Sequence, residues 1–271
     1  DKTRPLYVAL LLGPSGVGKT LVAEVLAEEW FGSRDAFTKI DCAEYSEGHK
    51  ISALIGTSAG YVGFWNSNDS QYRGVEPMLS QKKIDRHDIG NRKEVKDLEK
   101  EIDATQQEIG AIIIKLRDRQ FSKEEIGRLK REREALLDKL DFLYYQKEHF
   151  CSEGNFRSII LFDEIEKASG TLHNLLFGIL DKAVCHLGNG MLTRFNNSII
   201  LMTANVGDKE IADLIKGKGI GFKTGAGNSG LDQKIYLAAK KAARDRFPAA
   251  FLGRLNRLSV FRPLSPETVK Q

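Results

Sequence analysis

A chain of 271 residues with 41% hydrophobic residues can bury a substantial core, enough for one large domain or two small ones. No apolar run is long enough to cross a bilayer, and Asp1 to Arg4 do not resemble the start of a signal peptide, so no membrane association is expected and a cytoplasmic protein is predicted. The net charge of +4 is uneven, with thirteen Lys/Arg against six Asp/Glu in residues 201–271, but no stretch has the density of a phosphate-tracking arm and nucleic acid is not an expected partner.

Tyr7-Val-Ala-Leu-Leu-Leu12 is a continuous apolar run closed by Gly13, the pattern of a strand buried on both faces of a parallel sheet. It runs directly into Gly13-Pro14-Ser15-Gly16-Val17-Gly18-Lys19-Thr20, a G-x-x-x-x-G-K-[ST] pattern, and then into a helical pattern over Leu21 to Trp30. Strand, glycine loop and helix in that order predict an ATP site. The glycines let backbone N–H groups converge on phosphates, and the helix adds its positive N-terminal dipole. Lys19 would reach the β- and γ-phosphates, and Thr20 would coordinate Mg2+. A weaker strand candidate follows at Ala36 to Asp41.

From about Lys82 to Phe150 the rhythm changes: nearly half the residues are charged and the apolar positions take heptad spacing. Val95, Leu98, Ile102, Thr105, Ile109, Ile112 and Leu116 step by three and four, as do Ile126, Leu129, Arg133, Leu136, Leu140 and Leu143. Between them Ser122-Lys-Glu-Glu125 reads as a capping box that starts the second helix. An antiparallel helical hairpin, a coiled coil inserted over 82–152, is predicted. Its charges nearly cancel, seventeen basic against sixteen acidic, which disfavours an electrostatic arm for DNA or membrane and leaves a docking lever for an unknown partner or a passive insertion.

Ser158-Ile-Ile-Leu-Phe162 is the next strand and delivers Asp163 and Glu164 at its C-terminal end, the edge where α/β sheets bind ligands. Asp163 would hold the Mg2+ shell, and Glu164 would polarise the water that attacks the γ-phosphate. A helical pattern over Leu172 to Leu180 precedes the strand Ser198 to Met202, after which Asn205 could orient the same water. Arg257 to Phe261 completes five strands. The expected fold is therefore α/β, a five-stranded parallel sheet with helices on both faces and an inserted hairpin. Cys42, Cys151 and Cys185 are odd in number and lack CxxC spacing, which predicts ordinary buried thiols rather than disulfides or a zinc site.

These motifs resemble, in order, the second ATPase module of the Clp family of AAA+ protein unfoldases. The match runs through Gly13 to Thr20, Ile40 to Tyr45, Leu54-Ile-Gly56, Gly60-Tyr-Val-Gly63, Leu161 to Ala168, Thr203-Ala-Asn205 and Phe251 to Leu255, covering about residues 3–80 and 155–266. The resemblance implies an AAA+ P-loop NTPase large subdomain over 1–266, with 267–271 as the start of a small lid. The missing initiator Met and the abrupt end at Gln271 lead us to expect a fragment of a longer protein. The resemblance also implies that Asn205 is the sensor-1 residue and that Arg254 is an arginine finger acting on the neighbouring subunit of a hexameric ring, although the family's Asn-Arg is here Gly253-Arg254. It makes Tyr61 and Val62 the pore loop that grips protein substrates and Ile220-Gly221-Phe222 a docking loop for a ClpP-like peptidase. The implied function is an ATP-hydrolysing unfoldase that threads protein. The alternatives are a nucleic-acid-directed AAA+ ATPase and a nucleotide-switched assembly whose hairpin recruits a partner.

Overall fold

Alternating side chains of the central strands are claimed by helices from opposite sides. In a computed structural model describing residues 3–58, 75–89, 92–117, 121–152, 156–208, 211–212, 214 and 229–262, five parallel strands form one sheet. They are β1 (Tyr7–Leu12), β2 (Thr38–Asp41), β3 (Ser158–Asp163), β6 (Ser198–Ala204) and β7 (Arg257–Val260), in the spatial order β2-β3-β6-β1-β7. Ala9, Leu11, Ile159, Leu161, Ile199 and Leu201 face one way and pack with Ala23, Ala27 and Phe31 of α1 (Leu21–Phe31). The helices α2 (Ser52–Ile55) and α3 (Gln81–Ile89) follow β2 in the chain. Val8, Leu10, Ile160, Phe162, Ile200 and Met202 face the other way. They meet Leu172, Leu176 and Ile179 of α6 (Gly170–Lys182) and Ile235, Ala239 and Ala243 of α7 (Ser229–Arg246). This period-two division explains why the strands read as unbroken apolar runs: both faces are covered.

All five strands lie within a residue or two of their expected positions. Not foreseen is a two-stranded antiparallel pair, β4 (Val184–His186) with β5 (Leu192–Arg194), whose three-residue strands are too short to show a period. Cys42 and Cys185 are free and buried, and burial pushes both thiols up, that of Cys185 to about 11, so neither is a ready nucleophile. The Cys151 side chain lies outside the described residues. Among the described residues no helix is long and apolar enough to cross a membrane.

The chain divides into two compact units, Asp1–Ile84 with Arg157–Gln271, and Asp85–Phe156. The second unit is the helical hairpin of α4 (Lys93–Arg117) and α5 (Lys123–Ser152). Val95, Ile102, Thr105, Ile109, Ile112 and Leu143 of the heptad seam are buried. The helices run antiparallel: Lys147 pairs with Glu99 at 2.6 Å and Lys139 with Glu101 at 2.9 Å, while Gln106 reaches the Tyr144 hydroxyl at 2.9 Å. The capping box is formed as expected: the Ser122 N–H donates to Glu125 Oε2 at 2.9 Å and the Glu125 N–H to Ser122 Oγ at 3.3 Å. The unit ends at Phe156 rather than at 152 because Ile89, Val95, Phe150 and Phe156 cluster at its base, with the two phenyl rings 5.3 Å apart. Heptad counting does not see such an aromatic clasp beyond the last helical turn.

Candidate functional site

The strands β1, β6 and β3 are neighbours in the sheet, so the segments that follow them emerge side by side at its C-terminal edge. Gly13 to Thr20 follows β1, Asn205 follows β6, and Asp163 ends β3. There they enclose a cavity of about 400 Å3 lined by Ser15, Lys19, Thr20, Asp163, Glu164 and Asn205, together with Gly16, Gly18 and Thr203. Residues separated by well over a hundred positions in sequence thereby share one site.

The glycine loop has the backbone that its sequence demands. Gly13 sits at φ +145°, and a Cβ there would lie 2.6 Å from the Phe261 carbonyl oxygen beside β7, so glycine is required both by conformation and by space. Gly16 and Gly18 also have positive φ, and nothing lies within 4 Å of a Cβ placed on Gly16. Lys19 is 7% exposed. Its ammonium donates to Gly13 O at 2.5 Å, Pro14 O at 2.7 Å and Asn205 Oδ1 at 2.7 Å. Burial lowers its pKa, while the carboxylates of Asp208, Glu166, Asp163 and Glu164 act in the opposite direction.

The two strand-end carboxylates have different surroundings. Asp163 Oδ1 accepts from Thr203 Oγ1 at 2.5 Å, and Oδ2 pairs with Lys39 of β2 at 2.8 Å. Burial by itself would raise the Asp163 pKa, but the hydrogen bonds from Lys39 and Thr203 outweigh it and hold the group below the ordinary carboxylate value. Glu164 adopts a left-handed backbone at φ 56° and ψ 50°, an uncommon conformation for a side chain of this kind. Its N–H donates to Thr203 Oγ1 at 2.9 Å, which ties the strained residue to the neighbouring strand. Its carboxylate accepts from Asn205 Nδ2 at 3.1 Å and from Lys167 at 2.6 Å. Asn205 is therefore the link between Lys19 and Glu164. Its own N–H donates to Glu166 Oε1 at 3.1 Å, while Glu166 Oε2 is buried with no hydrogen-bond partner among the described residues.

A hard cation fits this donor set. Thr20 offers a hydroxyl and Asp163 a depressed, ionised carboxylate at one cavity, and Mg2+ is commonly held by one or two protein oxygens together with substrate phosphates. Of the residues named from the sequence, Ser15, Gly16, Gly18, Lys19, Thr20, Asp163, Glu164 and Asn205 line this one cavity, Gly13 and Pro14 accept from Lys19, and Val17 is a buried residue of the same loop. Sequence reasoning missed Lys39, Thr203, Glu166, Lys167 and Arg246, the last of which donates to the Glu166 carbonyl. The signal for Thr203 was its place in Thr203-Ala-Asn205; Lys39 gave none, because its role depends on which strand lies beside β3.

Arg254 is not in this cavity. It lines a second one of about 440 Å3 with Arg4, Asn197 and Asn256 at the N-terminal ends of β1, β6 and β7. The six residues of β1 separate the two edges by about 20 Å, so Arg254 does not reach the site of its own chain. Tyr61 and Val62, and Ile220-Gly221-Phe222, lie outside the described residues.

Known proteins share both the sequence pattern and the fold. A family model described as AAA domain (Cdc48 subfamily) matches residues 4–71 and 144–258, well over half of the chain. The ATP-dependent Clp protease ATP-binding subunit ClpC of Staphylococcus saprophyticus is 29% identical over 272 residues, covering 100% of this chain and 23% of that protein. The chain thus spans about a quarter of the length of the curated relatives it matches. Two structures of Hsp104 share the fold. One, a closed state with ATPγS and FITC casein, has a TM-score of 0.55 at 21% identity and covers 98% of this chain and 30% of that chain. The other, the extended S. cerevisiae Hsp104:casein complex, has a TM-score of 0.57 at 21% identity with the same coverage.

Proposed function

The chain belongs to the AAA domain (Cdc48 subfamily) family, and on that premise we propose that it is an ATP-hydrolysing module of a Clp-type ring motor that unfolds and threads protein substrates. The observation that carries this reading is the hydrogen-bonded series Lys19–Asn205–Glu164 across three adjacent strand ends, beside Asp163. In it, a phosphate-seeking cation, a water-orienting amide and a carboxylate base are held in one geometry.

The glycine loop gathers the phosphates with its N–H groups, and Lys19 turns its ammonium from the loop carbonyls to the β- and γ-phosphates. Thr20 and Asp163 would hold Mg2+, which when bound would neutralise charge on the phosphates. Lys39 and Thr203 keep the Asp163 carboxylate ionised and fixed in orientation. Glu164 polarises the attacking water, and Asn205 holds the Glu164 carboxylate in place for it. Arg254, about 20 Å from this site by the length of β1, serves the nucleotide of the next subunit in a hexameric ring, so turnover depends on assembly.

The likeness to ClpC and the casein named with the Hsp104 structures support polypeptide as the substrate class. Substrate would pass Tyr61 and Val62 in the ring's pore. Ile220-Gly221-Phe222 is a docking loop for a ClpP-like peptidase in this reading, the hairpin unit recruits a further protein, and the motor works in the cytoplasm.

The test is ATP hydrolysis by the assembled protein with and without casein. Glu164→Gln should retain nucleotide binding and lose turnover by about 100-fold or more, whereas Lys19→Ala should lose binding itself. Casein stimulation should disappear in Tyr61→Ala. Unchanged hydrolysis by Glu164→Gln would overturn the catalytic assignment, and stimulation indifferent to Tyr61 would overturn threading.

A further inference from the structure

Arg254 follows a short helix, α8 (Ala249–Leu252), and is held on several sides at once. Its Nε donates to Asp181 Oδ1 at 3.1 Å, and its Nη2 forms an ion pair with the same oxygen at 3.0 Å. Its Nη1 donates to the Ala250 carbonyl at 2.6 Å, and the guanidinium carbon lies 3.8 Å from the centroid of the Phe177 ring. Phe177 and Asp181 are four residues apart on α6 and so share one face of that helix. A guanidinium carries five N–H groups in a rigid fork. Of these five, one N–H of Nε and one of Nη1 are taken by Asp181 and Ala250, while the ion pair and the ring fix the orientation of the group.

We propose that Asp181 and Phe177 are positioning residues for Arg254, fixing its guanidinium at the cavity on the N-terminal edge of the sheet. This rests on the reading that Arg254 acts on a second copy's nucleotide. A long arginine side chain samples many rotamers when free, and ordering it at the moment of reaction would lower the rate. The clamp fixes it beforehand. The helix that bears the clamp is itself immobilised, because Leu172, Leu176, Ile179 and Leu180 anchor α6 in the core and make the face with Phe177 and Asp181 rigid. The pair is partly exposed, with side-chain accessibilities of 21% for Arg254 and 35% for Asp181, so the guanidinium is held without being sealed from an incoming anion.

The experiment is steady-state ATP hydrolysis by the assembled protein, with kcat and KM measured separately for Arg254→Ala, Asp181→Ala, Phe177→Leu and the double variant Asp181→Ala/Arg254→Ala. Arg254→Ala should lower kcat by about 1,000-fold. Asp181→Ala should lower kcat by about 10-fold or more, because misplacement of a transition-state contact is costly, while KM for ATP stays within about two-fold. In the Arg254→Ala background Asp181→Ala should cost nothing further, since it acts only through the arginine. Should Asp181→Ala fail to assemble, Phe177→Leu carries the same comparison through the stacking contact. A normal kcat for both clamp variants beside a crippled Arg254→Ala overturns the clamp and leaves the arginine in trans. A loss of equal size in both backgrounds reveals a structural role and also overturns the clamp. An Arg254→Ala variant with unchanged kcat removes the reading beneath it.

Discussion

Replacing Thr203 with valine tests how the two carboxylate-bearing residues are held. Thr203 is 1% exposed on β6, and valine has nearly the same shape and suits a strand equally well, so the substitution removes little but the hydroxyl. Two bonds are lost. The one donated to Asp163 Oδ1 is to a charged group, for which about 1.5–3 kcal/mol is typical, and the one accepted from the half-buried Glu164 N–H adds about 1 kcal/mol. The extra buried methyl returns about 0.8 kcal/mol. A net loss of about 2 kcal/mol results, or ~4–8 °C in unfolding midpoint. The pH dependence follows from Asp163. Its folded pKa is depressed, with burial opposing and the bonds from Lys39 and Thr203 prevailing. Its stabilising contribution is therefore full above the unfolded value near 4 and is lost as pH falls through the lower folded value. Without the hydroxyl the depression shrinks, so the difference between wild type and Thr203→Val should narrow as pH drops below about 4. Urea unfolding across that range is the assay. A neutral-pH difference below about 0.5 kcal/mol, or a difference independent of pH, would refute the reasoning.

Gly13→Ala places a Cβ 2.6 Å from the Phe261 carbonyl at a φ that alanine resists, and should cost about 3 kcal/mol in urea unfolding. Gly16→Ala, with open space around its Cβ, should cost only about 1–2 kcal/mol, so equal losses would count against the steric argument. Ser122→Ala removes half of the capping box and should destabilise the start of α5 by about 1 kcal/mol. Hydrogen exchange should rise in the first turn of α5 and stay constant in β1, β3 and β6; unaltered protection at residues 123–126 would contradict the cap.

Local patterns carried much of this protein. The unbroken apolar runs at Tyr7–Leu12, Ser158–Asp163 and Ser198–Ala204 were legible because a strand covered on both faces needs no alternation. The glycine loop was legible because three positive-φ positions and a lysine must occur at fixed spacing. The hairpin seam was legible because heptad positions, from Val95 to Ile112, record burial directly.

What the sequence could not supply was adjacency across the sheet. Strand order is set by which helices cover which face, so nothing near Lys39 announces that β2 lies beside β3 and that its ammonium meets Asp163. Likewise Asn205 meets Lys19 and Glu164 only because β6 runs between β1 and β3. Arg254 was named from its motif, but its grip by Asp181 and Phe177 comes from α6 packing against the sheet, a contact between segments more than seventy residues apart. Backbone conformation and burial period are short-range properties that a local stretch of residues determines by itself; the pairing of charges across strands is a long-range property, and only tertiary packing decides it.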